Sequence, residues 1–455
     1  MMEVVDIYNL EEGCEVIHTT KALCPDCLHE YPAVVYKDVD EAVWMRRVCP
    51  DHGEITTRIW PNAEHYQWLK SLAFSKTPPA SHCTIKPTAA CPFGCGTCSR
   101  HERRGTLLEI EVTRNCNLHC PVCFMSADSG KDDPTLEEIS DMYDVIYNAV
   151  GRNGAVQLTG GEPTCRNDLA DIIRMGRQKG FWGIELNTNG LVIAAKDGYL
   201  EELKAAGLTG VYLSFDGLTG DVYEGTCGRD ILKIKQKVID RCREAGIQCV
   251  LSVAVVAGLN DDQIGDLLRF SLENSDVIAG LALQPAFTSG RFNTKRAMPM
   301  TAGDVIEQLA AQSQGLLDVK DIWPLGCSHP LCDTGVFLVH GTPPEGVPEH
   351  ESGFYPVTKA ITLDDYRESY DEDSPQGSVF LDILAKKGVY VRDGLSIIIM
   401  NYMDALTMDT QRLRECSMMV AVPDGRALPF CSYHLTDSKG RRIYPPWCKE
   451  SLRFE

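Results

Sequence analysis

From Thr106 to about Pro285 the chain alternates between short apolar runs and longer stretches with a helical period. Six runs read as strands: LLEIEVT from Leu107, AVQLT from Ala155, GIELNT from Gly183, GVYLSF from Gly210, QCVLSVAVV from Gln248 and IAGLALQ from Ile278. Short apolar runs bounded by turn residues suit strands of a parallel sheet. Between them lie helical patterns. In PTLEEISDMYDVIYNAV, Leu136, Ile139, Tyr143, Ile146 and Val150 share one face, and Pro134 suits the first turn. In RDILKIKQKVIDRCREAG the period stops at Gly246, a residue type that closes helices. Strands that alternate with helices predict an α/β fold, and right-handed crossovers curl its sheet into a partial (β/α)6 barrel of the TIM type.

The flanks break this rhythm. Up to about Arg104 the chain is rich in Cys, His and Pro and includes the proline link SKTPPAS. After about Met300 the alternation weakens, and a loop-rich insertion runs from Pro343 to Pro356. Cysteines then return at Cys327, Cys332, Cys416, Cys431 and Cys448. The expected organisation is therefore a Cys-rich metal-binding domain (1–104), a barrel core (105–300) and a second Cys-rich domain (301–455).

Composition narrows the chemistry. Twenty cysteines stand in a chain of 455 residues whose apolar and charged fractions, 44% and 24%, are ordinary. The amino terminus is acidic and carries no secretory pattern, and the longest apolar run, Cys249 to Leu259, is too short to span a bilayer. A cytoplasmic location is expected, with peripheral membrane contact left open. In a reducing compartment cysteines bind metal more often than they pair. The formal charge of −20 argues against a large nucleic-acid interface.

One spacing, Cys-x-x-x-Cys-x-x-Cys, occurs twice: at Cys91, Cys95 and Cys98, and at Cys116, Cys120 and Cys123. The second triad follows the first barrel strand, where the functional loops of βα folds lie. Three thiolates hold three irons of a [4Fe–4S] cluster and leave the fourth open to a small molecule. Electron-transfer clusters use four cysteines, and structural zinc prefers four closed ligands. The next strand ends in TGGEP, where Gly160 and Gly161 allow close backbone approach and Glu162 offers a carboxylate to an amino group. Alone, that sequence also reads as a turn with a solvated Glu. One βα unit after an open triad, it resembles the radical S-adenosylmethionine (SAM) superfamily.

The resemblance covers roughly Thr106 to Pro285. It implies that Cys116, Cys120 and Cys123 hold a cluster whose unique iron chelates SAM, and that Gly160, Gly161, Glu162 and Pro163 contact its methionine end. It places further SAM contacts at Asn187 and Asn189, at Ser214 and Asp216, and at Gln284, each of which has a plain turn or cap reading as well. The implied reaction is reductive cleavage of SAM to a 5′-deoxyadenosyl radical, which takes hydrogen from an unreactive carbon.

The remaining cysteines form three groups. Cys91, Cys95 and Cys98 precede the first strand without a GGEP partner and read as an auxiliary cluster or a closed zinc site, with Cys83, His101 or Cys448 as fourth ligand. Cys24, Cys27, Cys49 and His52 have the spacing of a zinc or rubredoxin-like iron site. Cys327, Cys332, Cys416 and Cys431 come from two segments and suit a second auxiliary cluster, with VPDGRALPF as a hairpin turning at Asp424-Gly425. Cys14, Cys165, Cys227, Cys242 and Cys249 read as ordinary buried thiols.

The whole order of motifs resembles the archaeal group of tetraether synthases and their relatives, some described as dihydropterin methylases. That resemblance implies coupling of isoprenoid lipid chain ends within a long apolar tunnel, to which LSIIIMNYMDALTM is apolar enough to contribute if it is not simply core. The alternatives are methylation of a reduced pterin, modification of a peptide, and a non-catalytic iron–sulfur carrier. A small-molecule or lipid substrate and a low-potential electron donor, ferredoxin or flavodoxin, complete the expectation.

Overall fold

The computed structural model describes residues 8, 10–72, 74, 89–96, 98–127, 130, 132–150, 154–292, 300–369, 379–388, 391, 393–445 and 447. The chain opens on an antiparallel meander of β1 (Glu15–Leu23), β2 (Glu30–Lys37), β3 (Val43–Cys49) and β4 (Gly53–Trp60). The six expected barrel strands follow: β5 (Leu107–Thr113), β7 (Ala155–Gly160), β8 (Gly183–Thr188), β9 (Gly210–Ser214), β10 (Cys249–Val255) and β11 (Ile278–Pro285). Between β5 and β7 lies a two-residue strand, β6 (Val122–Cys123), which pairs with β12 (Arg291–Phe292). The last part of the chain adds β13 (Trp323–Pro324), β14 (Asp333–His340), β15 (Phe354–Pro356), β16 (Gly394–Met400), β17 (Met418–Ala421) and β18 (Ala427–Pro429).

These strands form a twelve-stranded sheet in the order β13-β14-β16-β11-β10-β9-β8-β7-β5-β17-β18, with β15 beside β14. The six barrel strands are parallel neighbours, as their alternation with helices requires. Two strands from far along the chain extend this parallel region. β16 lies parallel to β11, and β17 lies parallel to β5. Beyond them the sheet turns antiparallel, at β14 on one side and β18 on the other. The expected hairpin is β17–β18, with Gly425 at φ +89° in its turn.

Each barrel strand has two faces. Leu108, Ile110 and Val112 of β5 are buried, and so are Val156 and Leu158, Ile184 and Leu186, Val211 and Leu213, and Leu251 and Val253 of its neighbours. They pack against Ile139, Met142, Tyr143 and Ile146 of the helix Leu136–Val150 and against the helices that follow. Each such side chain contributes about 1.5–3 kcal/mol when fully buried. Leu136 departs from the expected face and is exposed. Pro134 lies outside the helix, because Thr135 and Glu138 form a capping box that starts it one residue later. The helix Leu232–Ala245 ends as expected on Gly246, at φ +61°. The intervening residues of each strand point into the barrel.

The meander is tied to the rest through two arginines. Arg47 is fully buried; its Nε donates to Leu23 O (2.7 Å) and its Nη2 to Ala405 O (3.3 Å). Arg58 forms a bidentate pair with Asp304 at 2.7 and 3.1 Å. No helix among the described residues is long and apolar enough to cross a membrane.

Candidate active site

At the carboxyl ends of the barrel strands lies a cavity of about 620 Å³. Cys116, Cys120 and Cys123 line it, on the loop that leaves β5. Arginines from three parts of the chain hold that loop by its carbonyls. Arg114 Nη2 donates to Met125 O (2.6 Å), Arg291 Nε to Cys120 O (3.1 Å), and Arg442 Nη2 to Phe124 O (3.0 Å). Phe124 packs among Phe287, Phe430 and His434, with ring centroids 5.6, 5.4 and 5.0 Å away. Burial pushes the Cys116 thiol up to about 11. Thiols held protonated in this way lose their protons to a metal on binding.

The GGEP segment is packed directly against the start of this loop. Gly161 N–H donates to Thr113 O (2.8 Å) and Glu162 N–H to Asn115 O (2.9 Å). A Cβ on Gly160 would lie 2.1 Å from Thr113 O, and one on Gly161 2.3 Å from Asn115 O. The close approach these glycines permit is thus made by the cysteine loop itself, although both also line the cavity. Glu162 is buried and fixed: Oε1 accepts from Thr164 N (3.1 Å), Thr164 Oγ1 (2.6 Å) and Thr188 Oγ1 (2.7 Å), while Oε2 accepts from Asn189 N (2.7 Å). Pro163 begins a short 3₁₀ turn capped by that same carboxylate.

The later strand ends converge on the same cavity, which Asn187, Asn189, Ser214, Asp216 and Gln284 all line. Their present partners differ. Asn187 Nδ2 donates to Gln157 Oε1 (3.2 Å), and its Oδ1 is buried without a partner. Asn189 bonds Asn117 (2.7 Å) and Leu191 N (3.0 Å), and Ser214 Oγ accepts from Lys235 Nζ (2.9 Å). Asp216 Oδ1 accepts from Ala254 N (3.0 Å), and burial raises its carboxyl. Among the described residues the Gln284 side chain reaches Met400 Sδ, at 3.9 Å.

The other cysteines fall into three further groups, of which the Cys91 triad and the Cys431 set pack against one apolar cluster. Cys24, Cys27, Cys49 and His52 have ligand atoms all within 4.8 Å of one another, the spacing of a single ion. Burial raises the Cys49 thiol, but hydrogen bonds from Tyr31 and His52 outweigh it and bring Cys49 down to about 6. Cys91, Cys95 and Cys98 surround a small cavity with His101, Arg414 and Pro429. His101 sits within reach of this triad, but its Nε2 bonds Cys416 O (2.8 Å), and burial lowers the imidazole to about 4. Cys83 and Cys448, the other expected fourth ligands, lie outside the described residues. Cys332, Cys416 and Cys431 are close enough to feel one another's charge, and Arg412 Nη2 donates to Cys332 Sγ (3.1 Å). Cys327, the fourth cysteine of this set, lines the large cavity.

Three of the thiols expected to be ordinary and buried depart from that, Cys14 being only half-buried. Cys165 is exposed. Cys227 is buried, lines the cavity and hydrogen-bonds Cys120, a contact that, with burial, pushes the Cys120 thiol up. Lys235, fully buried on the helix Leu232–Ala245, donates to Asn189 O (2.8 Å) and Ser214 Oγ; burial lowers its ammonium. The sequence reading also missed Glu109, Gln157, Glu185 and Asp333, which line the cavity from inside the strands. Their signal was present as polar residues at alternate positions of β5, β7 and β8, in LLEIEVT, AVQLT and GIELNT.

This is an α/β barrel that opens three thiols of one loop, a fixed carboxylate and a polar wall onto a cavity of small-molecule size. The radical SAM superfamily model matches residues 110–271, and the HMPTM N-terminal zinc ribbon domain matches residues 16–61. The chain is 30% identical to the 7,8-dihydro-6-hydroxymethylpterin dimethyltransferase of Methanocaldococcus jannaschii, over 91% of this chain and 93% of that one. It is 33% identical to a GTP 3′,8-cyclase of Alkaliphilus oremlandii, over 43% of this chain and 62% of the cyclase. Among solved structures, Streptococcus suis SuiB bound to S-adenosylmethionine matches 47% of this chain and 48% of its own, with 19% identity and a TM-score of 0.38. The chain belongs to the radical SAM superfamily, in the family represented by the Methanocaldococcus dimethyltransferase.

That membership brings SAM and a [4Fe–4S] cluster as cofactors, and the zinc ribbon brings a further metal. The residues present fit both. The ribbon offers four ligand atoms at single-ion spacing. The loop after β5 offers three thiols on the wall of a cavity large enough for a small molecule beside them.

Proposed function

We propose that this enzyme uses SAM to activate a carbon of a reduced pterin for methylation. The observation that carries the reading is the cavity itself: about 620 Å³, with the cysteine loop at one side and buried carboxylates and amides along the strands. That volume suits a bicyclic small molecule with the reacting end of SAM. A lipid chain needs the long apolar tunnel set out above. Here LSIIIMNYM divides by strand alternation: Leu395, Ile397 and Ile399 are core, and only Ile398, Met400 and Tyr402 face the cavity. The 30% identity to a pterin dimethyltransferase along nearly its whole length supports the same reading.

In this proposal Cys116, Cys120 and Cys123 hold the SAM-cleaving cluster, which when bound supplies the electron that opens the sulfonium. Glu162 receives the methionine ammonium, its orientation set by Thr164, Thr188 and Asn189. Asn187 Oδ1 and the Gln284 amide offer further polar contacts; Asn189, Ser214 and Asp216 mainly hold the wall. The stacked strands and the Phe124–Phe287–Phe430 cluster shield the reacting carbon from water. Cys91, Cys95 and Cys98, and the set of Cys327, Cys332, Cys416 and Cys431, form two auxiliary sites, with a closed zinc site the alternative for the first. Both border one apolar cluster that includes Met400 and Phe430, which provides a route for electrons from a low-potential donor such as ferredoxin or flavodoxin.

The test is anaerobic reconstitution with deuterated 7,8-dihydro-6-hydroxymethylpterin, SAM and a strong reductant. Wild type releases 5′-deoxyadenosine that carries deuterium from the pterin, and the triple Ala variant at Cys116, Cys120 and Cys123 releases none. Deuterium arriving only from a labelled isoprenoid lipid would replace the pterin reading with the tetraether one.

A further inference from the structure

Across the barrel floor, register places Glu109 of β5 beside Gln157 of β7, and Gln157 beside Glu185 of β8. Gln157 Nε2 donates to Glu185 Oε2 (3.2 Å) and its Oε1 accepts from Asn187, so Gln157 links Glu185 to Asn187. Glu109 stands outside that chain. It is 5% exposed, lines the cavity, and receives no hydrogen bond or ion pair from any described residue. Asp333 approaches from β14. Its Oδ2 accepts from Ser328 Oγ (2.5 Å), and it too lines the cavity. Tyr402 feels the charge of each. Its ring sits 4.6 Å from Phe430 and 5.4 Å from Phe287, which makes one wall of the cavity aromatic.

A buried carboxylate without a donor is costly, and it is kept where a ligand supplies the donor. Burial, then the neighbouring Glu111, pushes Glu109 up to about 8, so without a partner it keeps its proton at neutral pH, and two donors from a ligand would let it ionise. Among the described lining residues the basic side chain is Arg291, whose Nε and Nη1 are given to Cys120 O and Ala127 O. No described lining residue supplies Glu109 with a donor, which leaves that role open to a ligand. A flat heterocycle that carries an amino group beside a ring N–H offers two parallel donors to one carboxylate and a face to the aromatic wall. A saturated isoprenoid chain offers neither.

We propose that Glu109 is the specificity residue that reads the amino-lactam edge of a 2-amino-4-oxo heterocycle while Phe287, Tyr402 and Phe430 hold the ring face. This deepens the pterin reading and rests on it for the ligand's identity. The edge itself is shared by guanine compounds, so recognition and substrate can be separated.

The test is anaerobic equilibrium binding to the reconstituted enzyme of 7,8-dihydro-6-hydroxymethylpterin, its analogue lacking the 2-amino group, and guanosine. Wild type binds the amino compound roughly 10- to 100-fold more tightly than the analogue, the range expected when a buried charged acceptor loses its donor. Glu109→Gln, checked for wild-type iron and zinc content, abolishes most of that preference while binding the analogue about as wild type does. Equal binding of pterin and analogue by wild type overturns the proposal, as does a variant that keeps the preference. If Glu109→Gln fails to load metal, Glu109→Asp takes its place: drawing the carboxylate back by one methylene should reduce the preference, and an unchanged preference overturns the proposal. Guanosine bound through Glu109 with no pterin binding would sustain the recognition and overturn the pterin function. No binding of any of the three would overturn both.

Discussion

Glu162 accepts four hydrogen bonds before any ligand arrives, and none comes from a cationic side chain. Its carboxylate is oriented by neutral donors and buried, which sets it apart from the solvated turn residue that GGEP alone would allow and suits the ammonium-binding role proposed above. Replacing Glu162 with Ala is expected to weaken SAM binding roughly 10- to 100-fold; equilibrium dialysis on the reconstituted protein checks this, and a change below about twofold would count against it. A second residue-scale expectation concerns His65, 7% exposed beneath Trp60, whose Nε1 donates to His65 Nδ1 (3.3 Å). Burial, helped by Lys320, lowers this imidazole to about 4. The unfolded chain, with an ordinary histidine value near 6.5, therefore binds the extra proton first as pH falls. Stability from neutral His65 is complete above about pH 6.5 and is lost as pH falls toward about 4, on the order of 3 kcal/mol in all. Melting curves should accordingly fall more steeply between those limits for wild type than for His65→Phe. At this scale the cysteines were legible in the sequence because spacing alone identifies them. Glu109, Gln157 and Glu185 were not, because single polar residues inside apolar runs are read as strand noise until register shows them side by side.

Among elements, the joint between β7 and the cysteine loop has the least freedom. Two hydrogen bonds and two glycines press GGEP against Thr113 to Asn115, one residue before Cys116. Gly161→Ala would put a methyl 2.3 Å from Asn115 O, a backbone atom that cannot turn aside. The loop must then shift, and the expected outcome is a protein that keeps its ribbon metal but loses iron at the loop, read by metal analysis and the cluster's visible absorption. Wild-type iron content would refute this. The six barrel strands and their helices were readable because each pairs with neighbours close in sequence and each helix has a regular apolar face. The hairpin β17–β18 was readable from Asp424-Gly425, since few residues tolerate its turn. What escaped was the partnership of β16 with β11 and of β17 with β5. A strand's pattern reports its burial, not which distant edge it will join.

For the whole molecule, the zinc ribbon is fastened rather than merely attached. Arg47 bridges β1 and Ala405, and Arg58 pairs with Asp304, which also caps the helix Ala302–Gln312. Cys24→Ser removes one of four clustered ligands. It is expected to release one metal equivalent and to open residues 24–60 to limited proteolysis, since structural zinc contributes folding energy directly. Unchanged protease resistance would show that the ties to the rest of the chain, Thr20 to Asp409 among them, hold the meander without the metal. The two flanks of the parallel sheet carry a different consequence, one of time. β5 is among the first barrel strands to leave the ribosome, yet its outer edge waits for β17, some of the last residues described, and the edge of β11 waits for β16. Throughout synthesis the nascent barrel therefore shows two unsatisfied strand edges, the kind that recruit other chains. The same delay leaves the cysteine loop open from the side until β17 arrives. Assembly of its iron is thus best served late in translation, and a chain stopped short of Met418 would be sticky and hard to load.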